Sequence, residues 1–504
     1  MRKILIANRG EIAVRVIRAC REMGVSPVAI YSECDRTALH VRLADEAYAV
    51  GPSAPRDSYL RIDRIVDAAR KAGADAVHPG YGFLAENEAF ARAVVDAGLT
   101  FVGPPPDAIA LMGSKTAARA VAKNAGVPLV PGGDAAIDAA VSDDQLHVLA
   151  EGVGYPLLVK AVAGGGGKGM RTVQQASDLR GAVIAARSEA GAAFGDPAVY
   201  LERQLLRPRH IEVQLLGDSH GTVLPFVERE CSIQRRHQKV VEETPSLAVT
   251  PKIRAAMTAA AAAVARRVGY TNAGTIEFLL DEDGRFYFLE MNTRLQVEHP
   301  ITEAVTGLDL VRWQIRIARG DRLDVDPDRL LMPSGHAIEC RVYAEDPDNN
   351  FLPSPGRIQS LRAPAGPGIR DDSGVEAGQD VPIFYDPMIS KLIAWAEDRP
   401  SAIDRMRRAL SEYVVSGIKT TLPFFRWLLA QPQFVGGAFH TAYLDEVLRS
   451  RNGQPFVEAA PEVEDVAAIA AALHAILSPS AKDGNGREPD RRWKAQARAE
   501  GLRD

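Results

Sequence analysis

Cysteine is scarce in this chain. Its four cysteines, Cys20, Cys34, Cys231 and Cys340, stand far apart and form no CxxC pair. That spacing excludes a disulfide scaffold or a structural zinc site and fits a reducing cytoplasm. Cys231 and Cys340 neighbour charged candidates and are expected to be small packing residues. Long apolar runs are missing as well: no span approaches the roughly 18 residues of a membrane helix. The first residues, Met1-Arg-Lys-Ile-Leu-Ile-Ala7, enter a strand pattern without the layout of a signal peptide. Excess charge is lacking too. A net charge of −5, with no long basic run, argues against a general nucleic-acid binder. No internal repeat is visible. What remains is an ordinary soluble composition, 46% hydrophobic and 25% charged, in 504 residues. That length holds about three domains.

Residues 1–113 alternate strand and helix signals. Lys3–Ala7, Pro27–Tyr31, Ala76–His78 and Thr100–Val102 read as buried strands, and Ile12–Met23 as a helix ending at Gly24. This βαβ rhythm predicts a parallel sheet covered by helices. The first turn, Ala7-Asn-Arg-Gly-Glu11, is not GxGxxG, so a nicotinamide dinucleotide site is poorly supported. His78-Pro-Gly-Tyr-Gly-Phe83 is a loop after a strand, where ligand sites gather in open α/β sheets; Tyr81 either meets substrate or closes a domain interface. A helix is expected over 114–131, a strand–loop–helix unit over 132–203, and a hairpin with flanking helices over 204–330. A strand-rich region follows over 331–448. Residues 449–504 form a linker, a helix over Asp465–Leu477 and a polar end.

The densest chemistry lies at Glu290-Met-Asn-Thr-Arg-Leu-Gln-Val-Glu298. In an extended backbone Glu290, Asn292, Arg294, Gln296 and Glu298 share one side, with Met291, Leu295 and Val297 on the other. Thr275–Leu280 and Arg285–Leu289 read as strands joined at Asp281-Glu-Asp-Gly284. Folding about Asp283–Gly284 sets Glu277 opposite Glu290. Like charges there repel, and a hard cation with oxygen ligands relieves the conflict. Glu277, Glu290 and Asn292 are therefore the candidate metal ligands.

Leu157-Leu-Val-Lys160 is a strand ending in lysine, followed by the run Gly164-Gly-Gly-Gly-Lys-Gly169. Glycines let backbone N–H groups approach phosphate closely, and Lys160 adds a fixed charge. The pattern is not GxxxxGK[ST], so no P-loop is indicated. Val199–Leu205 could grip a purine or serve as an ordinary interdomain strand. The polar segment Glu228–Val240 reads as a loop receiving an anionic substrate. Arg341 ends an apparent strand and could stabilise an oxyanion or form a salt bridge.

Together these stretches resemble the biotin carboxylase family of the ATP-grasp superfamily. The landmarks are Ile6–Ile12, His78–Phe83, Gly164–Met170, Arg235–Lys239 and Glu290–Pro300, in order, and the likeness covers about 1–448. It implies a multidomain α/β and α+β fold. A Rossmann-like domain spans 1–113, and an ATP-grasp domain spans 114–330 with a mobile lid near 132–203. A C-terminal domain spans 331–448. Carried over residue by residue, ATP contacts fall on Lys115, Lys160, Gly166, Gly167, Glu202, Leu205, His210, Gln234, His237 and His440. Two Mg²⁺ or Mn²⁺ ions fall on Glu277, Glu290 and Asn292. Bicarbonate falls on Lys239, Arg294, Gln296, Val297 and Glu298, and biotin on Tyr81, Arg294 and Arg341. Catalysis is implied for Glu298 as base, with Lys239, Arg294 and Arg341 handling charge. The implied reaction is ATP-dependent carboxylation of biotin through carboxyphosphate.

No Met-Lys-Met attachment motif occurs, so the biotin is expected on a separate biotin carboxyl carrier protein. A carboxyltransferase subunit then serves acetyl-CoA, another acyl-CoA or pyruvate. A cytoplasmic homodimer is expected. The alternatives are another ATP-grasp ligase, of purine-pathway or carbamoyl-phosphate type, or a nucleotide-binding scaffold. The tail helix and the basic segment Arg491–Arg498 are expected to dock on partner subunits.

Overall fold

The computed structural model describes residues 1–132, 136–138, 140–162, 169–456 and 461–477. The glycine run with Gly166 and Gly167, and the segment Arg491–Arg498, lie outside the described residues. Met1–Gln454 forms one compact unit; Pro455–Asp504 forms a second. Among the described residues no helix is long and apolar enough to cross a membrane.

The chain begins with a parallel sheet of β1 (Lys3–Ile6), β2 (Ser26–Ser32), β3 (Glu46–Gly51), β4 (Ala76–His78) and β5 (Thr100–Phe101), in the order β3-β2-β1-β4-β5. The expected strands are present; β3, with its half-buried residues, escaped the apolar pattern. The first helix, Gly10–Glu22, buries Ile12, Val16 and Ile17 against β1. Each such side chain contributes about 1.5–3 kcal/mol. The order reverses between β1 and β4, and the loops after both strands, at Asn8–Gly10 and Tyr81–Phe83, border one cavity. Open α/β sheets place ligands at such a reversal.

The second sheet positions the chemistry. Eight of its nine strands, in spatial order, are Phe286–Asn292, Asn272–Leu280, Arg209–Gly217, Arg229–Arg235, Gln238–Thr244, His336–Tyr343, Met388–Ala396 and Ile369–Ser373, and the ninth, Val223–Pro225, pairs with Arg209–Gly217 outside this order. All neighbours run antiparallel. The sheet runs without a break across the expected boundary at 330/331, through pairs such as Val241 with Cys340. Alternation divides its two faces. Ile211, Val213, Leu215, Ile276 and Phe278 join the core with Met257 and Ala261 of the helix Pro251–Arg267. His210 and Glu277 point the other way, into a cavity.

A smaller antiparallel sheet holds Met170–Val173, Leu157–Ala161 and Val199–Arg203; the strand expected before the glycine run is observed, and Met170–Val173 is a further strand that the strand–loop–helix reading did not include. In the second unit, the helix Pro461–Leu477 carries exposed Val466, Ile469, Leu473, Ile476 and Leu477.

Two sequence expectations change. Glu228–Val240 is not a loop: it is a hairpin of Arg229–Arg235 and Gln238–Thr244. Its charges mislead because they are buried in pairs, as with Arg229 and Glu212. The alternation over 290–298 also stops early. The strand ends at Asn292, a bend follows, and Glu298 stands immediately before the helix His299–Thr306 without a side-chain capping bond. Val297 therefore does not pack with Met291 and Leu295, but lines cavities.

Candidate active site

The functional hairpin owes its aim to a bulge. Glu277 pairs with Glu290, but the next pair is Phe278 with Phe288, leaving Leu289 extra. Such a bulge re-aims side chains. Phe288 and Met291 enter the core, whereas Leu289, Glu290 and Asn292 all line the cavity. The register thus sets two carboxylates face to face.

That cavity has a volume of 710 Å³. Its wall gathers Lys115, Lys160, Glu202, Leu205, His210, Gln234, His237, Lys239, Glu277, Glu290, Asn292, Arg294, Gln296, Val297 and Arg341. His440 is placed elsewhere, on a neighbouring cavity with Arg207 and Arg209, while Thr441 and Ala442 take the main wall. Tyr81 lines a second cavity of 320 Å³ beside Asn8, Glu11 and Tyr385. The two cavities share Gln238, Arg294, Val297 and Arg341.

Lys239 is the hub. Its ammonium lies 2.6 Å from Glu212, 2.7 Å from Glu277 and 2.8 Å from Glu298. Arg341 donates to Glu298 Oε2 at 3.0 Å and to Glu242 at 2.6 Å. Glu298 is fully buried and lines neither cavity, because Lys239 and Arg341 cover it. Burial opposes its charge, but Lys239, Arg341 and Arg229 hold the carboxyl well below the usual range. Burial likewise opposes the charge of Glu277, and Lys239 and His210 reverse it. The Lys239 ammonium is held well above its ordinary range by Glu212, Glu277 and Glu298, against burial.

Arg294 is braced on three sides. It donates to Glu86 at 2.9 Å, to Gln296 Oε1 at 2.9 Å and to Asn292 Oδ1 at 3.1 Å. Asn292 in turn donates to Glu277 at 2.9 Å. Lys160 and Arg119 clamp Glu202 at 2.7 and 2.9 Å. Lost hydration lowers the Lys115 ammonium pKa, and the like charge of Lys160 adds to this. His237 sits in the hairpin turn with Arg236, both at positive φ (66° and 51°) without glycine. Such backbone costs about 1–3 kcal/mol per residue and gathers at functional sites.

The donor set fits a hard cation. As ligands, Glu277 and Glu290 offer carboxylate oxygens and Asn292 its amide oxygen. Glu290 is open to the cavity, yet dense surroundings strip its hydration and Glu277 faces it. Its carboxyl is raised by these causes in that order. A divalent ion between the two carboxylates removes the repulsion.

Comparison with known proteins assigns the family. Residues 1–109 match the biotin carboxylase N-terminal domain, residues 114–326 the carbamoyl-phosphate synthase L chain ATP binding domain, and residues 339–446 the biotin carboxylase C-terminal domain. The chain is 51% identical to a biotin carboxylase of Nostoc sp. over 445 residues, covering 88% of this chain and 99% of that one. The chain belongs to the biotin carboxylase family.

A pyruvate carboxylase subunit from Methanothermobacter thermautotrophicus is 53% identical over 448 residues, 89% of this chain and 90% of its own. The biotin carboxylase domain of a Hydrogenobacter thermophilus 2-oxoglutarate carboxylase superposes with a TM-score of 0.84 at 47% identity, over 91% of this chain and 99% of that one. It was solved as a dimer with MgADP, ADP and bicarbonate. The Campylobacter jejuni biotin carboxylase gives 0.84 at 45% identity, over 88% of this chain and 98% of that one. A biotin carboxylase is an ATP-dependent ligase performing the first half-reaction of biotin-dependent carboxylases, and this chain has that enzyme's multidomain fold.

Several residues of this biotin carboxylase site escaped sequence reasoning. Glu86 comes from the parallel-sheet domain and accepts from both Arg294 and the Thr293 backbone. Glu212, Arg229 and Glu242 complete the buried charge network. Arg229 lies inside the polar segment Glu228–Val240, but no spacing pairs it, Glu86, Glu212 or Glu242 with its partner. Cys231 donates to Glu298 at 3.8 Å, and burial pushes its thiol well above the ordinary range, as suits a packing residue.

Proposed function

We propose that this chain carboxylates biotin carried on a separate protein, using ATP and bicarbonate, with the residue roles that follow. The observation that carries the reading is the shared wall: Glu298 is held by Lys239 on the side of the large cavity and by Arg341 where both cavities meet.

ATP occupies the large cavity, with its phosphates toward Lys115 and Lys160 and its base toward Glu202 and Leu205. Glu277, Glu290 and Asn292 would hold the divalent ions, which neutralise phosphate charge. Bicarbonate sits among Lys239, Arg294, Gln296 and Val297. An anion arriving there competes with Glu298 for Lys239 and Arg341. Losing those partners uncovers the carboxylate and raises its basicity toward that of a working general base. Glu298 takes the bicarbonate proton, and the freed oxygen attacks the γ-phosphorus, giving carboxyphosphate and ADP. Carboxyphosphate splits into CO₂ and phosphate. Phosphate takes the N1′ proton of biotin lying in the second cavity near Tyr81. Arg341 and Arg294 stabilise the ureido enolate, and its nitrogen attacks CO₂.

The partners are a biotin carboxyl carrier protein and a carboxyltransferase subunit, with the enzyme a cytoplasmic homodimer. The test is ATP hydrolysis by the purified chain with and without bicarbonate and free biotin. Turnover that requires bicarbonate and rises with biotin supports the reading. Equal hydrolysis without bicarbonate overturns it.

A further inference from the structure

Behind the bicarbonate wall lies a charged group that the reaction scheme leaves unused. Lys391 sits mid-strand in Met388–Ala396 and is 0% exposed. In register it lies between Arg341 on one neighbouring strand and Asp372 on the other. Its ammonium donates to the Val297 carbonyl at 3.0 Å and stands 3.2 Å from Glu11 Oε2. The Tyr81 ring centroid is 5.6 Å away. The contact with Glu11 is an ion pair without hydrogen-bond alignment, since neither Glu11 oxygen has a hydrogen-bond partner. Lys391 therefore spends its one well-formed hydrogen bond on a backbone carbonyl.

That carbonyl belongs to the peptide leading into Glu298. A peptide unit is planar, so fixing the Val297 C=O fixes the Glu298 N–H and places the Glu298 Cα from which its side chain leaves. Val297 itself lines both cavities. A buried lysine is costly and shifts or leaves unless its partners fix it. Glu11, in the first turn of the helix Gly10–Glu22, supplies the countercharge from the parallel-sheet domain. The strand, the helix and the catalytic turn thus meet at one ammonium.

We propose that Lys391 is a positioning residue for bicarbonate activation: it locks the Val297–Glu298 peptide, with Glu11 as its anchor. The inference rests on Glu298 being the base. A lysine that merely neutralised Glu11 would affect the fold and both substrates alike. A lysine that sets the Val297–Glu298 peptide affects bicarbonate selectively.

The test is the double variant Glu11→Gln/Lys391→Met, which removes the ion pair without leaving an unpaired charge from it. Turnover is measured against bicarbonate and against ATP, and MgADP affinity by calorimetry. The expected result is a loss of about tenfold or more in kcat/KM for bicarbonate, with the ATP KM and ADP Kd within about twofold. A bicarbonate kcat/KM near wild type overturns the proposal, as does an equal fall in both substrates' parameters. If the double variant does not fold, Lys391→Arg carries the test, because the larger planar head of arginine does not fit the fully buried place of the ammonium without moving that carbonyl. It must show the same split, and a wild-type bicarbonate KM there overturns the proposal. Glu298→Gln, assayed in parallel, separates the two claims. An active Glu298→Gln enzyme defeats the base assignment, whereas an inactive one beside a normal Lys391 variant defeats only this inference.

Discussion

Replacing Glu298 with glutamine separates chemistry from architecture. The carboxylate accepts from Lys239 on Oε1 at 2.8 Å and from Arg341 on Oε2 at 3.0 Å. Glutamine offers one acceptor and one amide NH₂, so one cation then faces a donor. Neither cation is orphaned, because Lys239 keeps Glu212 and Glu277 and Arg341 keeps Glu242. The stability cost should thus lie near the roughly 1–3 kcal/mol of an unmet buried donor, below the roughly 3–5 kcal/mol of an abandoned buried ion. The rate cost is that of a lost general base, about 10²–10⁴-fold. The assay is bicarbonate-dependent ATP turnover with free biotin, beside calorimetric MgADP binding. We expect turnover to collapse while nucleotide affinity holds. Near-normal kcat would refute the argument, and so would nucleotide affinity falling in step with rate. Acid stability gives a second readout. The folded carboxyl is held below the usual range, so its contribution is full at neutral pH and is lost as pH falls through the folded value. Glu298→Gln should therefore flatten the acid side of the Tm–pH curve.

Glu290→Gln should raise the Mg²⁺ concentration needed for half-maximal turnover, and an unmoved metal titration would make Glu290 a structural charge. Glu86→Gln should raise the bicarbonate KM about three- to tenfold by loosening Arg294, and steady-state kinetics with unchanged KM would remove Glu86 from the site. Glu11 is pushed up to about 7 by burial, with Lys391 offsetting part of the effect. Below that value its folded form keeps a proton that the unfolded chain releases, so stability falls as pH rises from the ordinary carboxylate range toward 7, and above it Glu11 is the charged partner of Lys391. Glu11→Gln should remove that slope, on the order of 1–3 kcal/mol, read by denaturant melts at several pH values. Ending the chain at Gln454 should spare free-biotin carboxylation and weaken co-purification with carrier and carboxyltransferase subunits; unchanged co-purification would assign the tail no docking role.

The metal hairpin was legible because aromatic and branched residues flank an Asp-Gly turn, but the observed turn register, with Leu280 paired to Phe286, would by itself set Glu277 opposite Leu289, and the bulge brings Glu290 there instead. The bulge at Leu289 was not legible, since one extra residue leaves no compositional mark. Glu228–Val240 read as a loop because charge usually means solvent. Here Arg229, Glu230 and Glu242 are buried. Their partners lie on other strands, and sequence spacing cannot pair them. Val297 looked like a core residue by alternation, and the bend after Asn292 overrode that. Arg294, Gln296 and the residues around Lys239 converge by chain reversal rather than by a common strand face. Glu86 and Lys391 needed the tertiary fold, because each acts across domains on a residue remote in sequence.

The unbroken sheet has a consequence for anyone wishing to cut this enzyme. Matches to separate family domains at 114–326 and 339–446 invite a split near residue 330. Yet Val241, Glu242, Glu243 and Thr244 are zipped to Cys340, Glu339, Ile338 and Ala337. Severing the two halves would bare two long, buried strand edges, each a template for pairing with any other chain. Neither fragment should stay monodisperse alone. A chimera exchanging only the C-terminal part between relatives would have to inherit the ladder's register along with the residues, because a one-residue slip turns Arg341 away from Glu298. What reads as two modules in sequence is one indivisible piece of cloth in folding.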